Sequence, residues 1–166
     1  MTNSTTDVAI IMGSDSDLPI VEASFTILDS FGVNYTKNVM SAHRTPHEVM
    51  ELIKTSEKNG CKVFIAAAGM AAHLAGAVAA HSTRPVIGIP IESGGMGGMD
   101  SLLSTAMMPP GVPVATVAVG KAGAKNSAIL AVQILATSDD ALAAKLSEYK
   151  SNMRDEVLKK DQALNS

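Results

Sequence analysis

The chain predicts a three-layer α/β sandwich in which helices cover both faces of a central parallel sheet. Short apolar runs alternate with helical patterns along its length, as in successive strand–helix units with right-handed crossovers. Hydrophobic residues make up 46% of the chain but aromatic residues only 3%, with no Trp. A core of small aliphatic side chains suits a parallel sheet that is covered by helices. The 166 residues fit one domain, 1–166, with a core over about residues 8–137.

Five apolar runs predict the strands of this sheet. The run Val8–Met12 contains no polar residue and predicts a strand that is buried on both faces. Residues 34–40 carry more polar side chains and predict a strand near the sheet edge. The remaining strands are predicted at residues 62–67, 84–90 and 114–119.

Helical patterns follow these strands. The helix predicted at residues 46–59 begins with clear signals. Thr45 is the predicted N-cap, Pro46 suits the first helical position, and Glu48 completes a capping box. The other helices are predicted at residues 18–31, within 67–82, after residue 100, at 124–136 and at 138–160.

The last predicted helix, residues 138–160, carries one apolar stripe with spacings of three and four residues. The stripe consists of Leu142, Leu146, Tyr149, Met153 and Val157. Packing of the stripe on its own domain is the simpler interpretation. Because a helix of this length can extend past a small sheet, contact with a neighbouring subunit is the alternative.

Charge and cysteine content argue against several classes of function. The net charge is −3 and no Lys/Arg cluster occurs, so we expect no nucleic-acid binding. The single cysteine, Cys61, cannot form an internal disulfide and lies beside an apolar run, which predicts a buried and inert thiol.

No apolar stretch is long enough to span a membrane, and the polar N-terminal MTNSTTD lacks the features of a signal peptide. We therefore expect a cytoplasmic protein that does not bind membranes.

Polar residues gather in the loops that follow predicted strands, where parallel sheets bind their ligands. The first such loop reads GSDSD. Gly13 permits a sharp turn, and the hydroxyls of Ser14 and Ser16, with free backbone N–H groups, could hold a phosphate. Asp17 would repel a phosphate but suits the hydroxyls of a ribose. Capping of the following helix by Ser and Asp is an equally weighted alternative.

The loop SAHRTP follows the second predicted strand. His43 and Arg44 precede a helix N-terminus, which attracts anions, although an ordinary surface loop is the alternative. His43 and His73 follow different strands and could converge on one pocket. Proton transfer is the commonest chemistry of a His that titrates near neutral pH. We expect His47 to be solvated and His81 to be structural.

Several familiar motifs are absent from the sequence. GGMGGMD lacks the last Gly of the dinucleotide-binding motif, and Gly120-Lys121 lacks the other residues of the P-loop, so neither NAD nor ATP is predicted. No His-x-x-x-His or Cys–His spacing predicts a metal site. The glycine-rich residues 94–98 suit a mobile flap, with an ordinary surface turn as the alternative.

Five motifs together point to a known family. MGSDSD, SAHRTP, AGMAAHLAG, MDSLLS and MPPGVPVATVAVGKAGAKNSAILAVQIL occur in this order between Val8 and Val157. They resemble the N5-carboxyaminoimidazole ribonucleotide mutases of purine biosynthesis. The related carboxylases that use free carbon dioxide typically have Lys after the His, so Arg44 and Pro46 resemble the mutase class. Such a carboxylase is the nearest alternative.

This resemblance implies a flavodoxin-like fold, a homo-octamer, and no metal or organic cofactor. The implied reaction moves a carboxylate from the exocyclic nitrogen to a ring carbon of aminoimidazole ribonucleotide, through decarboxylation and recarboxylation. An ATP-dependent carboxyaminoimidazole ribonucleotide synthase would supply the substrate. The last helix, residues 138–160, would contribute to subunit contacts.

The resemblance also implies roles for residues in the loops after the strands. Ser14, Ser16 and Arg44 would bind the phosphate. Asp17 would hold the ribose, and His43 would shuttle the proton. The base and carboxylate pocket would be lined by Ser41, Ala42, Gly69, Ala71, His73 and Leu74.

Three residues near this site depart from the family pattern. They are Met70 where Gly is common, Ala75 where Pro is common, and Met107 where Gln is common. These departures concern loop rigidity and flap contacts rather than the reaction. A phospho-signalling receiver is the alternative from another class, but it needs an Asp where this chain has alanine at 66–68. Lys121 is its one matching residue.

Overall fold

The computed structural model describes residues 6–165 and contains, within that range, a five-stranded parallel sheet. The strands are β1 (Val8–Met12), β2 (Tyr35–Val39), β3 (Val63–Gly69), β4 (Val86–Ile91) and β5 (Ala115–Thr116). They lie in the order β2-β1-β3-β4-β5, which is the flavodoxin-like order. The polar strand β2 lies at an edge, as predicted.

Six α-helices accompany the strands within residues 6–165 and complete the predicted three layers. They are α1 (Leu18–Phe31), α2 (Pro46–Lys58), α3 (Leu74–His81), α4 (Met99–Ala106), α5 (Lys121–Ala136) and α6 (Asp140–Leu164). No helix in this part of the chain is long and apolar enough to cross a membrane.

Each face of the sheet has its own core, because alternate strand residues point to opposite sides. In β1, Val8, Ile10 and Met12 belong to the cluster that contains the buried faces of α1 and α5. Ala9 and Ile11 belong to the cluster that contains those of α2 and α3. All five residues are fully buried, so β1 is buried on both faces, as the uninterrupted apolar run predicts.

The last strand, β5, is shorter than predicted. The apolar run covers residues 114–119, but strand pairing covers only Ala115–Thr116. Just beyond it, the N–H of Val117 donates to the carbonyl of Gly88 at 3.1 Å. Pro90 faces the same neighbour as Gly88, because alternate residues of a strand direct their backbone groups to the same side. Pro90 has no N–H to donate, so the regular pairing is interrupted there, although its carbonyl still accepts the N–H of Gly120 at 2.9 Å.

The start of α2 differs from the prediction in one contact. Pro46 occupies the first helical position, but Thr45 makes no capping hydrogen bond, so the predicted capping box with Glu48 is wrong. The Thr45 hydroxyl instead accepts the N–H of Ser41 at 2.9 Å and donates to the Ser41 carbonyl at 3.0 Å. It therefore closes the preceding loop rather than the helix end.

The apolar stripe of α6 divides into two halves. Leu142, Leu146 and Tyr149 are partly buried against the core on the α1 and α5 side. Met153 and Val157 are 51% and 64% exposed. The first half of the stripe therefore packs on its own chain, and the helix then continues past the predicted end at residue 160.

Cys61 is fully buried just before β3, as predicted. Burial raises the pKa of its thiol to about 11. Its Sγ donates to the carbonyl of Val63 at 3.3 Å. Because only the thiolate is a strong nucleophile, this thiol is inert at neutral pH.

We expect Gly88→Ala to destabilise the fold, because Gly88 allows α4 to lie close to β4. A β-carbon on Gly88 would overlap the methyl group of Thr105 and lie 2.9 Å from Cγ1 of Val114. Overpacking of this kind should lower the free energy of unfolding by about 1–3 kcal/mol, measured by urea denaturation. Gly95→Ala is the control, because nothing lies within 4 Å of a β-carbon there. An equal loss in both variants would contradict the packing argument.

Candidate active site

The loops after β1, β2, β3 and β4 surround one open cavity of about 600 Å³ at the carboxyl edge of the sheet. This is where the strand order reverses, since β2 and β3 lie on opposite sides of β1. The lining residues are Gly13, Ser14, Ser16, Asp17, Ser41, His43, Arg44, Gly69, Met70, Ala71 and Ser93.

The first loop, residues 13–17, is folded by its own polar groups. The Ser14 hydroxyl oxygen accepts the N–H of Ser16 at 3.3 Å and the hydroxyl of Ser16 at 2.8 Å. The N–H of Ser14 donates to Oδ2 of Asp17 at 3.2 Å, which completes a capping box around a short 3-10 turn. These groups thus cap the short turn, whereas Asp17 makes no side-chain capping hydrogen bond to α1, and both serines line the cavity.

Asp17 is only 5% exposed although it lines the cavity. Burial raises the pKa of its carboxyl group, the N–H of Ser14 opposes the rise, and repulsion from Asp15 adds to it. A buried carboxylate gains from any hydroxyl that can donate to it. The position therefore favours a neutral, hydroxyl-bearing part of a ligand.

Arg44 joins the second loop to the first. Its Nη2 donates to the carbonyl of Gly13 at 2.9 Å. The Ser41 hydroxyl oxygen accepts the N–H of His43 at 3.3 Å and that of Arg44 at 3.2 Å. Together with the hydrogen bonds of Thr45 to Ser41, these contacts hold the second loop in one shape.

His43 contacts His73 at the edge of the cavity. Nε2 of His43 lies 2.7 Å from Nδ1 of His73, and the ring centroids are 4.9 Å apart. At this distance one nitrogen must donate and the other accept, so the two facing nitrogens share one proton. His73 immediately precedes α3 and orients the ring of His43.

Comparison with known proteins identifies the family. The family model described as AIR carboxylase matches residues 7–156. This chain belongs to the AIR carboxylase family. It is 51% identical over 157 residues to the N5-carboxyaminoimidazole ribonucleotide mutase of Bacillus subtilis, covering 95% of this chain and 97% of the relative. The mutase of Thermotoga maritima is 50% identical over 157 residues, covering 95% and 91%.

A solved structure supports the same assignment. The crystal structure of Treponema denticola PurE matches with a TM-score of 0.87 at 29% identity, covering 96% of this chain and 98% of that chain. The family that the five motifs indicate is therefore confirmed, together with the flavodoxin-like fold.

Three residues expected in the AIR carboxylase pocket do not line this cavity. Leu74 is 2% exposed and lies in the core that α2 and α3 form with the sheet, where Ala42 also packs. His73 reaches the cavity only through its contact with His43. Gly69 and Ala71 line it directly, as the resemblance implies.

Three lining residues, Gly13, Met70 and Ser93, were not among the site residues predicted from the sequence. Ser93 follows β4. A β-carbon on Gly69, at the end of β3, would overlap the Ser93 hydroxyl, so Ser93 can lie here only because residue 69 is a glycine. Its place in a loop after a strand is the signal that could have found it. Met70 follows β3, and the sequence marks it only as a departure from the family pattern.

The other histidines match their predicted roles. His47 is exposed on α2, and Nδ1 of His81 lies 2.8 Å from the Ala77 carbonyl. Among residues 6–165, no three His, Cys, Asp or Glu side chains are grouped as a metal site would require.

We expect Asp17→Asn to raise the free energy of unfolding more at neutral pH than at about pH 3. The pKa of Asp17 is raised in the folded chain, so the folded chain holds this proton more tightly than the unfolded chain does. Stability therefore falls as the pH rises from the ordinary Asp pKa through the folded-state pKa, and Asn removes that loss.

Urea denaturation at the two pH values measures this difference. Glu22→Gln is the matched control, because it removes an exposed carboxylate from α1. A gain from Asp17→Asn that is the same at both pH values would contradict the burial argument.

Proposed function

We propose that this chain converts N5-carboxyaminoimidazole ribonucleotide to 4-carboxyaminoimidazole ribonucleotide, a mutase step of purine biosynthesis. One observation carries the proposal. His43 and Arg44 are adjacent in one loop and line one cavity, but they contact different partners, His73 and Gly13. A group that can move a proton thus lies beside a group that can hold an anion. Relatives about 50% identical over nearly the whole chain are named as this mutase.

The phosphate of such a substrate suits the junction of the first two loops. Ser14 and Ser16 offer hydroxyl groups, and Arg44 offers the guanidinium N–H groups that the Gly13 carbonyl does not occupy. Charge-assisted hydrogen bonds to a phosphate are stronger than neutral ones. Asp17 lies beside these groups and would accept a hydrogen bond from the ribose.

The base and its carboxylate suit the part of the cavity that Ser41, Gly69 and Ala71 line. These residues present small groups, which leaves room for a planar ring. Ala42 and Leu74 would support this wall from the core beneath it.

The proposed reaction proceeds in two balanced steps. In the first step the bond between the exocyclic nitrogen and the carboxylate carbon breaks, its electron pair stays on the nitrogen, and His43 donates a proton there. Carbon dioxide and aminoimidazole ribonucleotide result. In the second step the ring carbon attacks carbon dioxide, a carbon–carbon bond forms, and His43 takes the proton from that ring carbon. The proton shared with His73 keeps the imidazole oriented through both steps.

A carboxylase that uses aminoimidazole ribonucleotide and free carbon dioxide is the second candidate. The description of the matching family favours it, and its chemistry is the second of the two steps. Arg44 and Pro46, in the loop that carries the His, favour the mutase. The receiver alternative is set aside, because the chain belongs to an enzyme family and alanine occupies residues 66–68.

We also propose a homo-octamer in which α6 contacts a neighbouring subunit. Met153, Val157 and Leu158 expose half or more of their side chains in the single chain. Their burial would contribute about 25 cal/mol per Å². Supply of the substrate by an ATP-dependent carboxyaminoimidazole ribonucleotide synthase, and location in the cytoplasm, stay predictions.

The proposed reaction can be assayed directly with the purified full chain. N5-carboxyaminoimidazole ribonucleotide should yield the 4-carboxy isomer without added bicarbonate or ATP. Product that forms only from aminoimidazole ribonucleotide plus bicarbonate would favour the carboxylase instead. No product under either condition would refute both.

We expect His43→Asn to bind the ribonucleotide normally but to lower kcat by about 10²–10⁴, and further if one His serves both steps. Asn keeps a hydrogen-bonding side chain but cannot carry the proton. Steady-state kinetics and a binding assay measure the two effects separately. His47→Asn on α2 is the control, because that His is exposed and does not line the cavity. Near-normal turnover by His43→Asn would remove its assigned role.

A further inference from the structure

We propose that the Ser93 hydroxyl donates a hydrogen bond to the carboxylate of the ribonucleotide, so that the cavity prefers carboxylated ligands. The inference rests on the proposed function and adds a specificity-determining residue to it. Three observations support it: the unused hydrogen-bonding capacity of this hydroxyl, its place along the sheet edge, and the positions of the carboxylates near it.

The Ser93 hydroxyl is the first observation. Four serines line the cavity: Ser14, Ser16, Ser41 and Ser93. The hydroxyls of Ser14 and Ser16 donate to partners within the first loop, and the hydroxyl oxygen of Ser41 accepts two backbone N–H groups. Within residues 6–165, Ser93 is the one serine of the four whose side chain makes no hydrogen bond. Its donor is therefore available to a ligand.

The distance of Ser93 from the proposed phosphate site is the second observation. The strands lie in the order β2-β1-β3-β4, and neighbouring strands are about 4.8 Å apart. The loop after β4 is therefore about 10 Å along the sheet edge from the loop after β1, where Arg44 contacts Gly13. In a ribonucleotide the ribose separates the phosphate from the base, so groups on the base come nearer to Ser93 than the phosphate does.

The positions of His43 and Gly69 place the base more narrowly. The side chain of His43 extends to His73, which lies between β3 and α3. A base that His43 can reach thus lies over the end of β3. A β-carbon on Gly69, the last residue of β3, would overlap the Ser93 hydroxyl, so this hydroxyl covers the same strand end.

The positions of the acidic side chains are the third observation. Asp17 is the one carboxylate among the lining residues, and it lies in the loop after β1. Glu92, next to Ser93, does not line the cavity, and its β-carbon lies 3.4 Å from the position of a β-carbon on Gly98. A ligand carboxylate can therefore accept from Ser93 without facing a second carboxylate. Such a charge-assisted hydrogen bond is about twice as strong as a neutral one.

The test compares the affinities of the full-length wild type and Ser93→Ala for two ribonucleotides. These are aminoimidazole ribonucleotide and 4-carboxyaminoimidazole ribonucleotide, which differ by the carboxylate. Both isomers of the proposed reaction carry a carboxylate on neighbouring positions of the base, so interconversion does not disturb the comparison. Ser14→Ala is the contrast, because it would act on the phosphate that both ligands share. Ser147→Ala, on the exposed part of α6, is the matched control.

We expect Ser93→Ala to weaken binding of the carboxylated ribonucleotide by about ten-fold or more, as the loss of one charge-assisted hydrogen bond should. Its affinity for aminoimidazole ribonucleotide should stay close to that of the wild type. Ser14→Ala should weaken the binding of both ligands by similar factors, and Ser147→Ala should change neither. Ser93 is exposed, so the variant should unfold at the same urea concentration as the wild type.

Two results for Ser93→Ala would overturn the inference. Equal weakening of both ligands would show that Ser93 shapes the cavity without contacting the carboxylate. Unchanged affinity for both would show that its hydroxyl contacts neither ligand.

The same experiment separates this inference from the proposed function. A wild type that binds both ribonucleotides but forms no product would refute the proposed function, while the affinity difference would still decide the role of Ser93. Normal wild-type turnover without that difference refutes the role of Ser93 alone, and a wild type that binds neither ribonucleotide refutes both.

Discussion

The hydrogen bond from Arg44 to the Gly13 carbonyl is the contact on which the candidate site depends. At 2.9 Å it fixes the loop after β2 against the loop after β1. His43 is the residue next to Arg44, so the same contact keeps the loop that carries the imidazole beside the first loop. Ser41 then holds the backbone of both residues from the other side. The proposed binding of an anion and the proposed movement of a proton would thereby be coupled within one short loop.

Small side chains make this convergence possible. Strand β3 ends in alanine and glycine where the loops meet, and the Gly69 backbone lies directly against the Ser93 hydroxyl. On the adjacent strand, Gly88 lets α4 approach through Thr105. The low aromatic content that predicts the fold class thus also shapes the cavity, because bulky side chains at these positions would hold the loops apart. Met70 is the exception among the lining residues, and its positive φ shows that its position is conformationally costly.

Local patterns in the sequence predicted most of the fold. The apolar run of β1 and the polar composition of β2 correctly predicted a strand buried on both faces and an edge strand, because a strand that is covered on both faces needs apolar residues throughout. The length of β5 could not be predicted in this way. It depends on Pro90 in a neighbouring strand, which lacks the N–H that the ladder needs. The sequence pattern predicted that the Thr45 hydroxyl caps α2. That hydroxyl instead hydrogen-bonds to the backbone N–H and carbonyl of Ser41.

The sequence predicted which loops form the candidate site, but it did not predict which side chains contact one another there. The rule that ligands bind beyond strand ends selected the loops that surround the cavity. The 2.7 Å contact between His43 and His73 depends on two segments that are distant in sequence. Leu74 belongs to a family motif and was expected in the pocket, but it lies in the core behind the site.

The central claim is that Arg44 holds the phosphate while its neighbour His43 acts on the base. Its most direct test is the affinity of the wild type and of Arg44→Ala for aminoimidazole ribonucleotide and for the nucleoside that lacks the phosphate. A charge-assisted hydrogen bond contributes roughly 1.5–3 kcal/mol, so the loss for the nucleotide should exceed the loss for the nucleoside by about ten-fold or more. Equal losses for the two ligands would show that Arg44 does not hold the phosphate and would contradict this division of roles.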